Sequence, residues 1–328
     1  MTRPIDRLLE AYAIAPLPAP TRPQSVSVIV RTQGRRPGSL AEALDSIAAQ
    51  THEAVDAVVV VHGGEDAAAS VREHLGDRPK MSVVSTTDPG RAAPLNAGLR
   101  AAAGDYVTFL DDDDLAEPGW IAAVVDAAAG APGTIVRSVT ASQAWTTDGG
   151  DEPVRATGDV EHPFPDTFDL LAHMSVNLTP ICAVAYPRQA LLDHDLWFDE
   201  TLPVYEDWDL LMRAAMLLGV TSIPTVTTLY RRLDGANADA AESVGVWEST
   251  HARVIAGLAD APVLLPAGDA ARLARTHFEL GGASRHEREL EETRAELARI
   301  TRSPVRWLGA FLGRLRGAVA ARRRAPRP

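Results

Sequence analysis

Two residue types are almost missing from this sequence, and each absence removes a class of function. Cys182 is the one cysteine among 328 residues. That excludes a disulfide framework and any multi-cysteine zinc site, and it suits a reducing compartment. Lys80 is the one lysine among 32 basic residues; the rest are arginine. Aromatic residues make up only 5%. There is no run of about 18 uninterrupted apolar residues to cross a membrane, and the first residues lack the basic-then-apolar order of a secretory signal. A cytoplasmic protein, soluble or peripheral, is expected.

What is abundant is acid and arginine. Acidic residues number 44, for a net charge of −12, which argues against a whole-surface nucleic-acid binder. A hydrophobic fraction of 46% and a charged fraction of 23% are those of a soluble globular protein with one large or two modest domains. The charge is uneven. From Arg299 to the end there are nine arginines and no acid, so the tail carries +9 and the remainder −21. Such opposed blocks suggest that the two parts face different partners.

Along the chain, residues 1–24 form a Pro-rich leader holding a short helix at most. Buried strands are expected at Ser25–Arg31, Ala57–Val61, Met81–Ser85 and Tyr106–Leu110, from their apolar, largely β-branched runs. Helices are expected between them: Leu40–Gln50 capped by Ser39, Ala67–Leu75, and Ala93–Ala103 with Gly104 as its C-cap. A further helix spans Trp120–Ala129. This alternation indicates an α/β protein with a mostly parallel sheet covered on both faces. Beyond it come a strand at 134–145, a connector at 146–168, a strand Ile181–Tyr186 and a helix from Arg188. The strongest helical pattern is Glu206–Leu218, followed by a strand Val226–Tyr230 that leads into Arg231. From about Val246 the chain reads as helical, interrupted by prolines.

The strand Tyr106–Leu110 runs straight into Asp111-Asp112-Asp113-Asp114. In open α/β sheets ligands gather outside such strand ends, and four carboxylates there call for a cation. Asp111 and Asp113 can hold Mg²⁺ or Mn²⁺ through one or two oxygens, the rest of the shell coming from water and a diphosphate. The alternative is a solvated acidic loop. An EF-hand loop starting at Asp111 fails, because Ala116 and Ala122 stand where Gly and Glu are required. A phosphatase of the haloacid-dehalogenase type fits poorly, since Lys80 lies upstream of the aspartates.

Three segments together resemble the family-2 glycosyltransferases of GT-A fold. They are Val28–Arg31 with Thr32, the stretch Gly90-Arg91-Ala92-Ala93-Pro94-Leu95-Asn96-Ala97-Gly98-Leu99, and Gly104–Leu110 entering the aspartates. The resemblance covers residues 26–125 and resumes at Phe198-Asp199-Glu200 and Tyr205-Glu206-Asp207-Trp208. It implies a GT-A-like, Rossmann-like mixed sheet flanked by helices, with a C-terminal helical appendage. Residues 25–130 would form the nucleotide-sugar half, 131–245 the acceptor and catalytic half, and 246–328 the appendage. The implied reaction is inverting, metal-dependent transfer of a sugar from a nucleotide diphosphate to an acceptor hydroxyl, in surface polysaccharide or glycolipid synthesis. A catalytically silent nucleotide-sugar binder or scaffold on the same fold is the other reading.

The resemblance also assigns roles. Asp113 would be a direct metal ligand, Asp111 a second or water-mediated one, and Asp112 a neighbour of the donor's ribose or sugar. Asp207 would be the general base that takes the acceptor's proton, with Glu206 and Trp208 lining the acceptor pocket. Thr32 and Arg35 would cradle the base, Arg91 and Asn96 would belong to the donor site, and Arg231 would grip the diphosphate. Outside the resemblance, Arg91 and Asn96 read equally as a surface arginine and a helix residue, and the acids at 206, 207 and 209 as helix-start acids. Where the family often has Asp-Asp-Gly-Ser, this chain has His62-Gly63-Gly64-Glu65, leaving Gly63 on the donor side and the nucleotide open among UDP, dTDP and GDP. No late histidine completes a metal site; Leu233 and Asp234 occupy that stretch, and His251 is the nearest histidine.

Residues 284–300 read as a short charged helix. Beyond Pro304, Val305, Leu308, Leu312, Leu315 and Val319 form an apolar stripe edged by arginines. That suits an amphipathic helix on an anionic membrane surface, or a homodimer contact through residues 284–328.

Overall fold

Alternation along the strands sorts the core into two layers. On β1 (Val26–Thr32), Ile29 joins one apolar cluster while Val28 and Val30 join the other. The computed structural model describes residues 3–11, 24–76, 78, 80–233, 244–259, 263–279, 292 and 294. Before β1 lies helix α1 (Pro4–Ala11). After it come α2 (Pro37–Ala48), β2 (Val55–His62), α3 (Gly64–Leu75), β3 (Met81–Thr86), α4 (Ala92–Ala101) and β4 (Tyr106–Asp111). Then follow β5 (Leu115–Ala116), α5 (Trp120–Gly130), β6 (Ile135–Thr146), β7 (Arg155–Ala156), α6 (Leu170–His173), β8 (Val184–Pro187) and α7 (Arg188–Asp193). The described series closes with α8 (Glu206–Leu218), β9 (Val220–Leu233) and α9 (Val244–Gly257).

The strands form one sheet in the order β3-β2-β1-β4-β8-β6-β9-β5, with β7 paired to β6. Strands β3, β2, β1 and β4 are mutually parallel, whereas β8 runs antiparallel to both β4 and β6. Leu95 and Leu99 of α4 pack with Leu210 and Leu211 of α8 on one face; Leu40 and Leu44 of α2, Val71 of α3 and Val124 of α5 cover the other. Pro224 lies within β9, near the register shifts in its pairing with β6 between Arg137 and Thr140, since proline cannot donate to a regular ladder.

Several expected boundaries move. Ser39 is not a cap: α2 begins two residues earlier at Pro37, with Arg36 at the N-cap position. Gly104 is not the C-cap of α4, which ends at Ala101 with Ala102 after it. A Cβ at Gly104 would come within 2.5 Å of the Ser27 nitrogen, so this glycine permits close approach to β1. Residues Ile181–Ala183 are a 3₁₀ turn rather than the start of the expected strand.

By its contacts the chain divides into Met1–Ala267 and Gly268–Pro328. In the second unit residues 269–279 are helical. Of the expected 284–300 helix only residues 292 and 294 are described, and the basic stripe beyond Pro304 lies outside the described residues. Among the described residues no helix is long and apolar enough to cross a membrane.

Candidate active site

Strand register builds the first part of the site. Because β1 and β4 are parallel neighbours, Arg31 stands opposite Asp111 at their shared C-terminal edge. Arg31 Nε and Nη2 donate to the two Asp111 oxygens at 2.8 and 3.2 Å, a forked pairing that fixes both groups. Its third nitrogen donates to Glu206 Oε1 at 2.9 Å and to the Arg91 carbonyl at 3.1 Å. Arg91 Nε also reaches Glu206 Oε1, at 3.2 Å. One largely enclosed arginine thus joins the acidic run to the first turn of α8.

The other aspartates are held in turn. Asp112 accepts from the Thr32 hydroxyl and, at 3.3 Å, from Arg36 Nη1. The same Arg36 nitrogen donates to Asp113 at 2.8 Å. Asp114 accepts from the Arg231 backbone at 3.0 Å. The Arg231 guanidinium donates to the Asp113 carbonyl and to Glu42 at 2.6 Å, and lies 5.3 Å from the Trp145 ring centroid.

These partners divide the carboxylates electrostatically. Burial would raise Asp111, but Arg31, with Arg91 and Arg36, outweighs it and holds Asp111 below its usual range. Burial raises Asp112. Burial and the charges of Asp111 and Asp112 push Asp113 up to about 6. Asp114 is raised well above the ordinary value by burial and by Asp113. Like charges crowded in a dry corner disfavour ionisation of their neighbours, a condition that a divalent cation relieves. The oxygen-only donor set fits Mg²⁺ or Mn²⁺, although among the described residues no group of three or more His, Cys, Asp or Glu is arranged to hold a metal.

The second part of the site is the start of α8. Tyr205 precedes it in a left-handed conformation, φ +62°. Asp207 Oδ1 accepts from the Trp208 backbone at 2.7 Å, and Asn177 Nδ2 approaches both Asp207 oxygens at 3.4 and 3.5 Å. Burial, then the neighbouring Glu206 charge, pushes the Asp207 carboxyl up to about 6.

Asp111, Asp112, Asp113, Thr32, Arg91, Glu206 and Arg231 therefore belong to one bonded neighbourhood. Trp208 departs from expectation: it is fully buried, donates to the His173 carbonyl at 2.7 Å and stacks on His251, so it offers no open face to an acceptor. Asn96 is spent on structure, bonding the Phe198 backbone both ways at 3.0 Å and Glu200 at 2.8 Å. Arg35 pairs with Gln33 at the exposed loop. Gly63, with φ +153°, precedes α3 at its N-cap position and donates to the Thr86 carbonyl at 3.0 Å. Sequence reasoning missed Arg31 and Arg36. The parallel register, once assumed, does point to Arg31; nothing local marks Arg36.

Residues 27–176 match the sequence model of glycosyl transferase family 2. A glucosyl-dolichyl phosphate glucuronosyltransferase of Haloferax volcanii is 33% identical over 123 residues, which are 37% of this chain and 39% of that protein. An uncharacterized glycosyltransferase of Bacillus subtilis, YwdF, is 26% identical over 222 residues, 66% of this chain and 78% of that one. The crystal structure of S. aureus TarS 1–349 aligns with a TM-score of 0.49 at 20% identity, covering 63% of this chain and 60% of that one. The chain thus spans well under half of the first of these relatives and most of the second. Residues 27–176, which carry the acidic run at the end of β4, are thus similar to glycosyl transferase family 2.

Proposed function

We propose that this protein transfers a sugar from a nucleotide-diphosphate donor to an acceptor hydroxyl, with inversion at the anomeric carbon. The observation that carries this reading is Arg31, which bonds Asp111 and Glu206 at once and so ties the acidic strand end to the helix turn bearing Asp207. The departing nucleoside diphosphate gathers negative charge, and the acceptor must lose a proton on the opposite face. Mg²⁺ or Mn²⁺, when bound, would neutralise that charge as a Lewis acid. Asp113, with Asp111 as second or water-mediated partner, would hold it. Arg91, about half exposed beside Glu206, is suited to meet a phosphate. Asp207, pushed up to about 6, sits near the operating range of a general base. Its shared first turn with Glu206 keeps it close to the donor side.

A saccharide or lipid-linked acceptor in surface polysaccharide or glycolipid synthesis, met at the inner membrane face through the basic tail, completes the proposal. One observation favours the other reading, a silent binder: Arg31 already pairs with Asp111, and Arg36 with Asp112 and Asp113, from within the protein. Incubation with UDP-, dTDP- and GDP-sugars separates the two. Nucleoside diphosphate released with Mn²⁺, and lost with EDTA or in Asp113→Ala, supports transfer; binding without release in every case supports the silent reading.

A further inference from the structure

Asp207 lies in the chain between Tyr205 and Trp208, two members of an aromatic cluster that the acidic run does not use. Tyr205, two residues before it, meets Trp208 edge-on at 5.2 Å and Trp247 of α9 edge-on at 4.9 Å between ring centroids. Trp208 stacks in turn on His251, which bonds the Ser175 carbonyl at 2.9 Å. Helix α9, the 175–177 segment and the start of α8 therefore meet around Tyr205 and Trp208, with Asn177 Nδ2 3.4 Å from Asp207. Burial and the Asp207 charge raise the Tyr205 phenol above its ordinary range.

Two features distinguish this cluster from ordinary core. Trp208 is fully buried, yet Trp247 remains 40% exposed, and so does Val176 at 46%, next to the Asn177 that faces Asp207. Tyr205 holds a backbone conformation that costs a bulky residue about 1–2 kcal/mol, strain of the kind that persists at ligand sites. It sets the ring between Trp208 and Trp247. Asn177, which follows the exposed Val176 in the chain, approaches the Asp207 carboxylate at 3.4 Å. A lipid chain would need a longer apolar surface; a pyranose, with one C–H face and a rim of hydroxyls, matches an aromatic face flanked by a few convergent polar groups.

We propose that Trp247, braced by Tyr205, is the acceptor subsite, stacking the ring of an acceptor saccharide whose hydroxyls are addressed by Asn177 and Asp207. This rests on the glycosyl-transfer reading, and it moves the aromatic platform from Trp208 to α9.

Saturation-transfer NMR on the full chain, with methyl glycosides of glucose, galactose, mannose and N-acetylglucosamine, tests it. At least one glycoside should bind the wild type, with a Kd raised about tenfold in Trp247→Ala, the loss of one good apolar contact. Trp247→Phe, which keeps an aromatic face, should restore most of the affinity. Thermal stabilisation by UDP, GDP or dTDP should be the same in all three proteins, showing that the fold and donor side are intact. No glycoside binding by the wild type, or equal binding by Trp247→Ala, overturns the subsite. If glycosides bind through Trp247 while no nucleotide sugar is ever turned over, the transfer reading fails and the subsite stands.

Discussion

Arg31 Nη1 lies 2.9 Å from Glu206 Oε1, and the same guanidinium holds both oxygens of Asp111. Residues far apart in sequence are thereby locked through one side chain, which is 16% exposed. Burial works against its charge, but Asp111 and Glu206 outweigh burial and keep it firmly protonated.

Removing that charge strips both side-chain bonds from Asp111 and leaves Glu206 with Arg91 alone. Arg31→Met should destabilise the protein by about 3–5 kcal/mol, the cost of breaking a buried ion pair from one side. A urea midpoint equal to the wild type's would contradict the bridge. Arg31→Lys should recover only part of the loss, because an ammonium cannot fork onto Asp111 while reaching Glu206.

Asn96 was expected on the donor side and is instead bonded to the backbone at Phe198. Asn96→Ala should cost about 1–3 kcal/mol, because it leaves buried backbone groups unpaired. Nucleotide affinity should stay within about twofold. A large loss of nucleotide affinity with an unchanged melting temperature would restore the donor role.

Arg137 on β6 is fully buried, and its Nε and Nη2 have no hydrogen-bond partner among the described residues. Burial lowers its pKa, with Asp166 opposing. Arg137→Met should therefore be neutral or stabilising, by up to about 3 kcal/mol, read as a raised melting temperature. A marked fall would mean that the bond from Nη1 to the Pro165 carbonyl outweighs the cost of burial.

The parallel half of the fold and the acidic strand end were legible from apolar runs and their spacing, and α8 lies where its stripe predicts, at Glu206–Leu218. What misled was local chemistry with a tertiary alternative. Ser39 has a cap's side chain, yet Pro37 already supplies a helical φ two residues earlier. Gly104 looks like a C-cap but is dictated by the Ser27 backbone pressing on it. The cations meeting the aspartates were hidden for another reason. Arginine is nearly the only basic residue in this chain, so composition does not say which ones fold inward. Trp208 illustrates the same limit: its place beside Asp207 in sequence says nothing of the His251 that covers it.

Asp207 also sets a pH dependence. Its carboxyl is raised to about 6 by burial and by Glu206, and a base must be unprotonated to act. Transfer should rise about tenfold per pH unit below 6 and level off above it. The same shift means that the fold prefers the protonated form: its contribution to stability is full below the ordinary 3.8 and is lost as pH rises through about 6. Glu206→Gln removes the like charge, so the rate limb should move to lower pH. A flat rate between pH 5 and 7 would contradict the assignment.

The most direct measurement is sugar transfer by Asp207→Asn beside the wild type, with the same nucleotide sugar and acceptor and with nucleotide binding recorded on both. The amide keeps the size of the carboxylate and cannot take a proton. Transfer should fall about 10²–10⁴-fold while nucleotide binding is retained. Full transfer by Asp207→Asn would contradict the account.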